Sequence, residues 1–264
     1  MEKVVFANSW KEILAENGLK TFRDFYHCND KKLINKNKNR NVSIIHLKIG
    51  GEGKTFFLKR FHHCHFKDIL FTFLNRGKFC SQAAYEWGNI ELLSKNDIAA
   101  PRAVCFGEQT WLGLEKKSFI ITEELKSQCL TEFLAQNWEK LSAEEKDELI
   151  ISLAQTIRRI HKAGISMPDL YVWHIFISKN EDGYNFAFID LNRMRKVNSE
   201  NEKIKNLGRL HYSMIDKYFD KPMRKLLIES YAGKSSGGEI DKLIHKVKKY
   251  SKKYSSRRRT KPSY

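Results

Sequence analysis

Residues 157–177 read IRRIHKAGISMPDLYVWHIFI, and residues 188–196 read FIDLNRMRK. The first stretch leaves a helix, turns through Pro168, presents Asp169, and meets His174 just before the apolar run Ile175-Phe176-Ile177. The second closes an apolar strand on Asp190. Upstream, Ser142 followed three residues later by Glu145 has the spacing of a capping box. It predicts a helix whose Leu149, Leu153, Ile157 and Ile160 share one face and which Gly164 ends. Two carboxylates at the ends of short elements, with a polar residue five after the first, can act as a base plus metal ligands. Phosphoryl transfer needs that set. Either aspartate alone is as commonly a turn cap.

Working towards the N-terminus, residues 42–49 alternate, GGEGK makes a turn, and residues 55–61 resume an apolar run, which together predict a hairpin. A helix is expected over 78–94, with Phe79, Ala83, Ile90 and Leu93 on one stripe. Glu86 falls on that stripe, where a carboxylate costs several kcal/mol unless a cation meets it. Alternation puts Lys59 of TFFLKRF on the face of Phe57 and Phe61, so the two charges could satisfy each other. The other reading leaves Glu86 at the stripe's edge, snorkelling to water. Further strands are expected at 104–106, 118–122, 175–177 and 184–189, and helix from 204 to 231. The order predicts an α+β protein of two lobes.

Composition bounds the rest. A 264-residue chain with 41% hydrophobic and 12% aromatic residues can build a core, which excludes wholesale disorder. No apolar run reaches the roughly 18–20 residues of a membrane span, and Met1-Glu2-Lys3 does not open a signal peptide. Five scattered cysteines predict free thiols in a reducing, cytoplasmic setting. The net charge of +17 is concentrated. Ten Lys and Arg fall in 242–264, read as a basic disordered tail, and five in 31–41, read as a solvated loop. His62, His63, Cys64 and His65 invite a zinc reading, but adjacent residues rarely ligate one tetrahedral ion, and a polar turn is expected. Trp87, Trp111, Trp138 and Trp173 are expected to pack in the core or between lobes.

FFLKRF, AAYEWGNIELL, SFIITEEL and the two stretches quoted above, in this order, resemble the protein-kinase-like fold, and within it the lipopolysaccharide kinase family of Kdo and heptose kinases. The resemblance covers about residues 42 to 196 and implies one kinase-like domain over 1–241, followed by the tail at 242–264. That domain would pair a small strand-rich N-lobe (about 1–125) with a mainly helical C-lobe (about 126–241). It implies ATP and Mg²⁺ as cofactors and a sugar hydroxyl of the lipopolysaccharide core, or of a lipid A–core glycolipid, as acceptor. By this resemblance Lys59 contacts the nucleotide phosphates, Glu86 holds it, and Glu123, Glu124 and Leu125 line the adenine. Asp169 orients or deprotonates the sugar hydroxyl, Asp190 binds Mg²⁺, and His174 stands where other kinases place a metal-holding Asn. His161 resembles the structural His before the catalytic loop.

Three departures from the kinase pattern stand out. Met167-Pro168-Asp169 lacks the usual Arg before the Asp, and Asp-Phe-Gly becomes Asp190-Leu191-Asn192. No Gly-rich nucleotide loop precedes Lys59; the segment near 34–41 is Lys/Asn-rich, and its backbone amides with Lys36, Lys38 or Arg40 would have to hold phosphate. The tail is expected to meet an anionic membrane surface, placing the protein at the cytoplasmic face of the inner membrane. No RRM, KH, zinc-finger or helix-turn-helix pattern supports specific nucleic-acid binding. A kinase acting on protein or a small molecule, and a non-catalytic basic binding protein, remain the alternatives.

Overall fold

The alternating residues of the predicted hairpin build the centre of a sheet. In the computed structural model, which describes residues 1–28, 32–36, 39–62, 64, 66–196, 199–258 and 261–264, the first unit contains the following elements. They are β1 (Glu2–Phe6), α1 (Trp10–Glu16), α2 (Phe22–Tyr26), β2 (Lys32–Lys36), β3 (Arg40–Ile49) and β4 (Glu52–Phe61). After them come α3 (Phe66–Arg76), α4 (Gln82–Ser94), β5 (Ala103–Trp111) and β6 (Leu114–Glu123). Six strands pair in the order β1-β5-β6-β4-β3-β2, all antiparallel. The β3–β4 turn closes on Gly50 and Gly51, both at positive φ, as a two-residue hairpin requires. Along β4, Phe56 and Leu58 point into a core shared with Leu14 of α1 and Phe22 and Phe25 of α2, whereas Lys59 takes the opposite face. Arg60, 4% exposed, is absorbed there by carbonyls: it donates to Tyr26 O (2.8 Å) and Cys28 O (3.1 Å) and to Ser43 Oγ (3.2 Å).

Four expectations change in this unit. The stretch 31–41 is not a loop, because residues 32–36 pair with β3 as a lysine-bearing edge strand, the usual protection for an open edge; residues 31, 37 and 38 lie outside the described residues. The helix expected from 78 begins at Gln82, where Ser81 Oγ accepts from Ala84 N (3.1 Å). Phe79 therefore leaves the stripe and stacks on Phe73 of α3 (4.8 Å), a helix with no counterpart in the sequence reading. Trp111 is exposed at the tip of the β5–β6 hairpin instead of packed.

The second unit is Leu93–Ala100 with Leu125–Tyr264. Leu93–Ala100 join it because Phe188 N donates to Ala99 O (3.1 Å) and Ala99 bridges Ala187. The unit holds β7 (Gln128–Cys129), α5 (Leu130–Asn137), α6 (Ala143–Lys162), β8 (Ile165–Ser166), β9 (Ile175–Asn180), β10 (Gly183–Phe188) and β11 (Arg195–Lys196). α7 (Glu200–Ser213), α8 (Lys221–Ala232) and α9 (Gly237–Ser255) complete it. The capping box forms as read: Ser142 Oγ accepts from Glu145 N, and Glu145 accepts from Ser142 N. Leu149, Leu153, Ile157 and Ile160 are buried against the rest of the unit.

The segment read as a disordered tail from 242 is helical to Ser255. α9 packs on α7 at a glycine, with Val247 and Ser251 buried and Ser251 Oγ bonded to His211 Nδ1 (3.1 Å). Beyond it, Tyr264 OH donates to Ser213 O (2.8 Å) and its ring stacks on Tyr218. Composition misled because a helix needs only one apolar stripe, and the lysines occupy the other faces. A Cβ at Gly208 would lie 2.6 Å from Tyr250 Cδ1 and 3.0 Å from its Cβ, atoms too near the backbone to swing away. Gly208→Ala should destabilise the fold by about 1–3 kcal/mol, read as a lower urea midpoint.

Candidate active site

Glu86 and Lys59 resolve the choice that the sequence left open. Glu86 is 7% exposed on α4, and Lys59 Nζ lies 3.1 Å from its Oε1 and 2.9 Å from its Oε2. Each charge is carried inward by its own element's periodicity, so each replaces the other's lost water. Ala83 and Leu93 on the same stripe are fully buried and Ile90 nearly so, which fixes the rotation of α4.

In the second unit the loop between β8 and β9 is tied at several points. Asn206 of α7 supplies one carboxamide oxygen to three donors: Met167 N (2.6 Å), His161 Nε2 (3.2 Å) and Ser166 Oγ (3.3 Å). Because that oxygen only accepts, Nε2 carries the His161 proton, and Nδ1 accepts from Tyr231 OH (2.8 Å). Burial pushes His161 down from the ordinary 6.5 to about 4, so it is a neutral tether. Further along, Val172 N donates to Ser213 Oγ (3.0 Å) and His174 N to Tyr171 O (2.9 Å). Tyr171 stacks on Trp173 (4.8 Å) and shares a hydroxyl contact with Tyr254 of α9.

Asp169 and Asp190 line one small pocket with Met167, Pro168, Leu191 and Met194. Asp190 has φ 56 and ψ 57, a left-handed conformation that a non-glycine residue keeps only where its surroundings enforce it. Ile189 N donates to His174 O (3.0 Å), which locks the end of β10 to the loop that presents Asp169. His174 Nδ1 donates to Asp169 O (2.8 Å). Arg193, absent from the sequence reading, brings its guanidinium to 3.5 Å from Asp169 Oδ1 while its side chain stays 62% exposed.

Asn192 Oδ1 is a buried acceptor without a partner among the described residues. Together with the Asp190 carboxylate it gives the oxygen donors that Mg²⁺ prefers, so these residues fit the ion that the family implies. No group of three or more His, Cys, Asp and Glu forms a metal cluster among the described residues. His62 Nδ1 is 2.6 Å from Tyr26 OH, Cys64 contacts Gln82, and His63 and His65 lie outside the described residues. Glu123 and Glu124 end the first unit, with Glu123 N donating to Arg102 O (2.9 Å) and Glu124 N to Thr55 O (3.3 Å); Leu125 opens the second. The side chains of Lys36 and Lys38 lie outside the described residues. Tyr171, Asn206, Tyr254 and Arg193 joined the site without a sequence signal, because each reaches it through tertiary contact.

Residues 25–231 match the family model described as "Lipopolysaccharide kinase (Kdo/WaaP) family". A lipopolysaccharide core heptose(I) kinase WaaP of Pseudomonas aeruginosa is 25% identical over 197 residues, 67% of this chain and 74% of that protein. One from Escherichia coli K12 is 29% identical over 196 residues, 66% and 74% respectively. A solved structure of WaaP in complex with acyl carrier protein superposes with a TM-score of 0.70 at 21% identity, covering 95% of this chain and 98% of that one. The fold is thus the two-lobed kinase-like one that the sequence order predicted.

Removing one partner of a buried pair strands the other charge. Lys59→Met should therefore cost about 3–5 kcal/mol, and Lys59→Met with Glu86→Leu should recover most of it, in urea unfolding. Neutral His161 in the fold means that the unfolded chain takes the extra proton as pH falls. Stability should decline from about pH 6.5 towards about 4. His161→Gln should flatten that decline by one residue's share, leaving the share of His211, which is also lowered to about 4.

Proposed function

Because the chain belongs to the lipopolysaccharide kinase (Kdo/WaaP) family, we propose that it transfers the γ-phosphate of ATP to a hydroxyl of a heptose in the lipopolysaccharide inner core. Heptose is preferred over Kdo because both curated relatives compared above are heptose(I) kinases. The observation that carries the reading is the convergence of Asp169 and Asp190 on one pocket, braced by His174.

Asp169 orients the acceptor hydroxyl and receives its proton as the new O–P bond forms and the bond from the γ-phosphorus to the bridging oxygen breaks, releasing ADP. The carbonyl contact from His174 Nδ1 makes His174 a positioning residue: it holds the backbone of Asp169, and its imidazole is a poor Mg²⁺ ligand. Lys59, kept extended by Glu86, meets the nucleotide phosphates. Glu123, Glu124 and Leu125 offer backbone groups to the adenine. Asp190, with Asn192 Oδ1, would hold Mg²⁺, which when bound neutralises charge on the phosphate oxygens. The exposed Arg193 brings a cation to the same place, in a loop whose Met167-Pro168-Asp169 carries none. The lysines of α9 face an anionic membrane surface, where the acceptor glycolipid resides. No helix of the described residues is long and apolar enough to cross a membrane. Acyl carrier protein, the partner in the solved relative, is a second candidate partner.

Labelled ATP with dephosphorylated core lipopolysaccharide should give labelled sugar. Asp169→Ala should lower the rate by about 10²–10⁴-fold, and Asp190→Ala should lower it at least as far. Transfer to polypeptide alone, or full activity in both variants, would sink the assignment.

A further inference from the structure

The first unit exposes large apolar side chains that its core does not use. On α3, Leu70, Phe73 and Leu74 face outwards, Leu74 being 72% exposed, and Phe79 joins them by stacking on Phe73. On the β5–β6 hairpin, Trp111, Leu112 and Leu114 are exposed, Leu112 by 79%. One carboxylate links the two elements. Glu115, next to Leu114, accepts from Gln82 N (3.0 Å) and bonds Cys64, whose Sγ also receives Gln82 Nε2 (3.7 Å). Cys64 precedes α3 and Gln82 follows it, so Glu115 ties the start of β6 to the chain on either side of α3. Isolated exposed leucines need no explanation, but a cluster of seven large apolar groups does.

The fully exposed charges on and beside these elements are basic. Lys67, Arg76, Lys78 and Lys116 are exposed, while Asp68, Glu108 and Glu115 are half-buried. Lys116 Nζ sits 5.7 Å from the Trp111 ring centroid. Leucine and phenylalanine on a helix face, a tryptophan at a turn and lysines with long apolar stems around them suit the boundary between acyl chains and anionic headgroups.

We propose that α3 and the β5–β6 tip form a membrane-inserting face that seats the protein on an anionic bilayer. The choice of a bilayer over a protein partner rests on the proposed acceptor being a membrane glycolipid. This face differs from the basic helix α9, which would act by charge alone. Apolar insertion resists salt, whereas attraction of lysines to headgroups is screened.

The test is flotation of the full chain with phosphatidylethanolamine–phosphatidylglycerol vesicles, before and after a high-salt wash. Wild type should float and stay bound after the wash. Leu74→Glu with Leu112→Glu, both at exposed positions, should lower the salt-resistant bound fraction by at least about tenfold, the loss expected for unburying such side chains. The same variant should still phosphorylate soluble, deacylated core oligosaccharide, which shows that it is folded. Wild type that washes off completely, or a variant that floats like wild type, overturns the proposal. So does a variant that loses only capture of purified acyl carrier protein. Salt-resistant, Leu74-dependent flotation without sugar phosphorylation would uphold this face and count against the proposed function alone.

Discussion

A single carboxamide oxygen, Oδ1 of Asn206, joins three parts of the chain that sequence separates. It accepts from the end of α6 through His161, from β8 through Ser166, and from the backbone of Met167, two residues before Asp169. Buried donors without partners cost about 1–3 kcal/mol each, so the loop that presents Asp169 is held by desolvation more than by contact area. His161 serves this arrangement only as a neutral ring, and its burial guarantees that state. From there the chain of bonds continues through His174 to Ile189, and so to the strained backbone of Asp190.

The first unit uses a different device for the same end. Lys59 and Glu86 lie on elements whose periodicities drive both inward, where they pair. The net gain in stability from such a pair is small, but the penalty for any other arrangement is large. A lysine amine is thereby kept extended at one place on the sheet, which a solvent-exposed lysine would not provide.

The excess positive charge has two structural forms. At the C-terminus it covers a packed helix whose Tyr254 contacts Tyr171, so the basic segment is also part of the scaffold behind the Asp169 loop. In the first unit it lies on the edge strand β2. Length and charge alone could not separate these, since a lysine counts the same on a helix, an edge strand or a loop.

Local periodicity determined much: the β3–β4 hairpin, the α6 capping box and the buried stripe of α4 that carries Glu86 were legible, as was the order of the site residues. These depend on near neighbours in sequence, where geometry is fixed by 2- and 3.6-residue repeats. Tertiary structure alone decided the rest. The start of α4, the outward turn of Phe79 and Trp111, the docking of α9 at Gly208, and the recruitment of Asn206, Arg193 and Tyr254 to the site all depend on which distant surface meets which. That is settled by packing and by the pairing of buried polar groups across tens of residues, which leaves no repeat in the sequence to read.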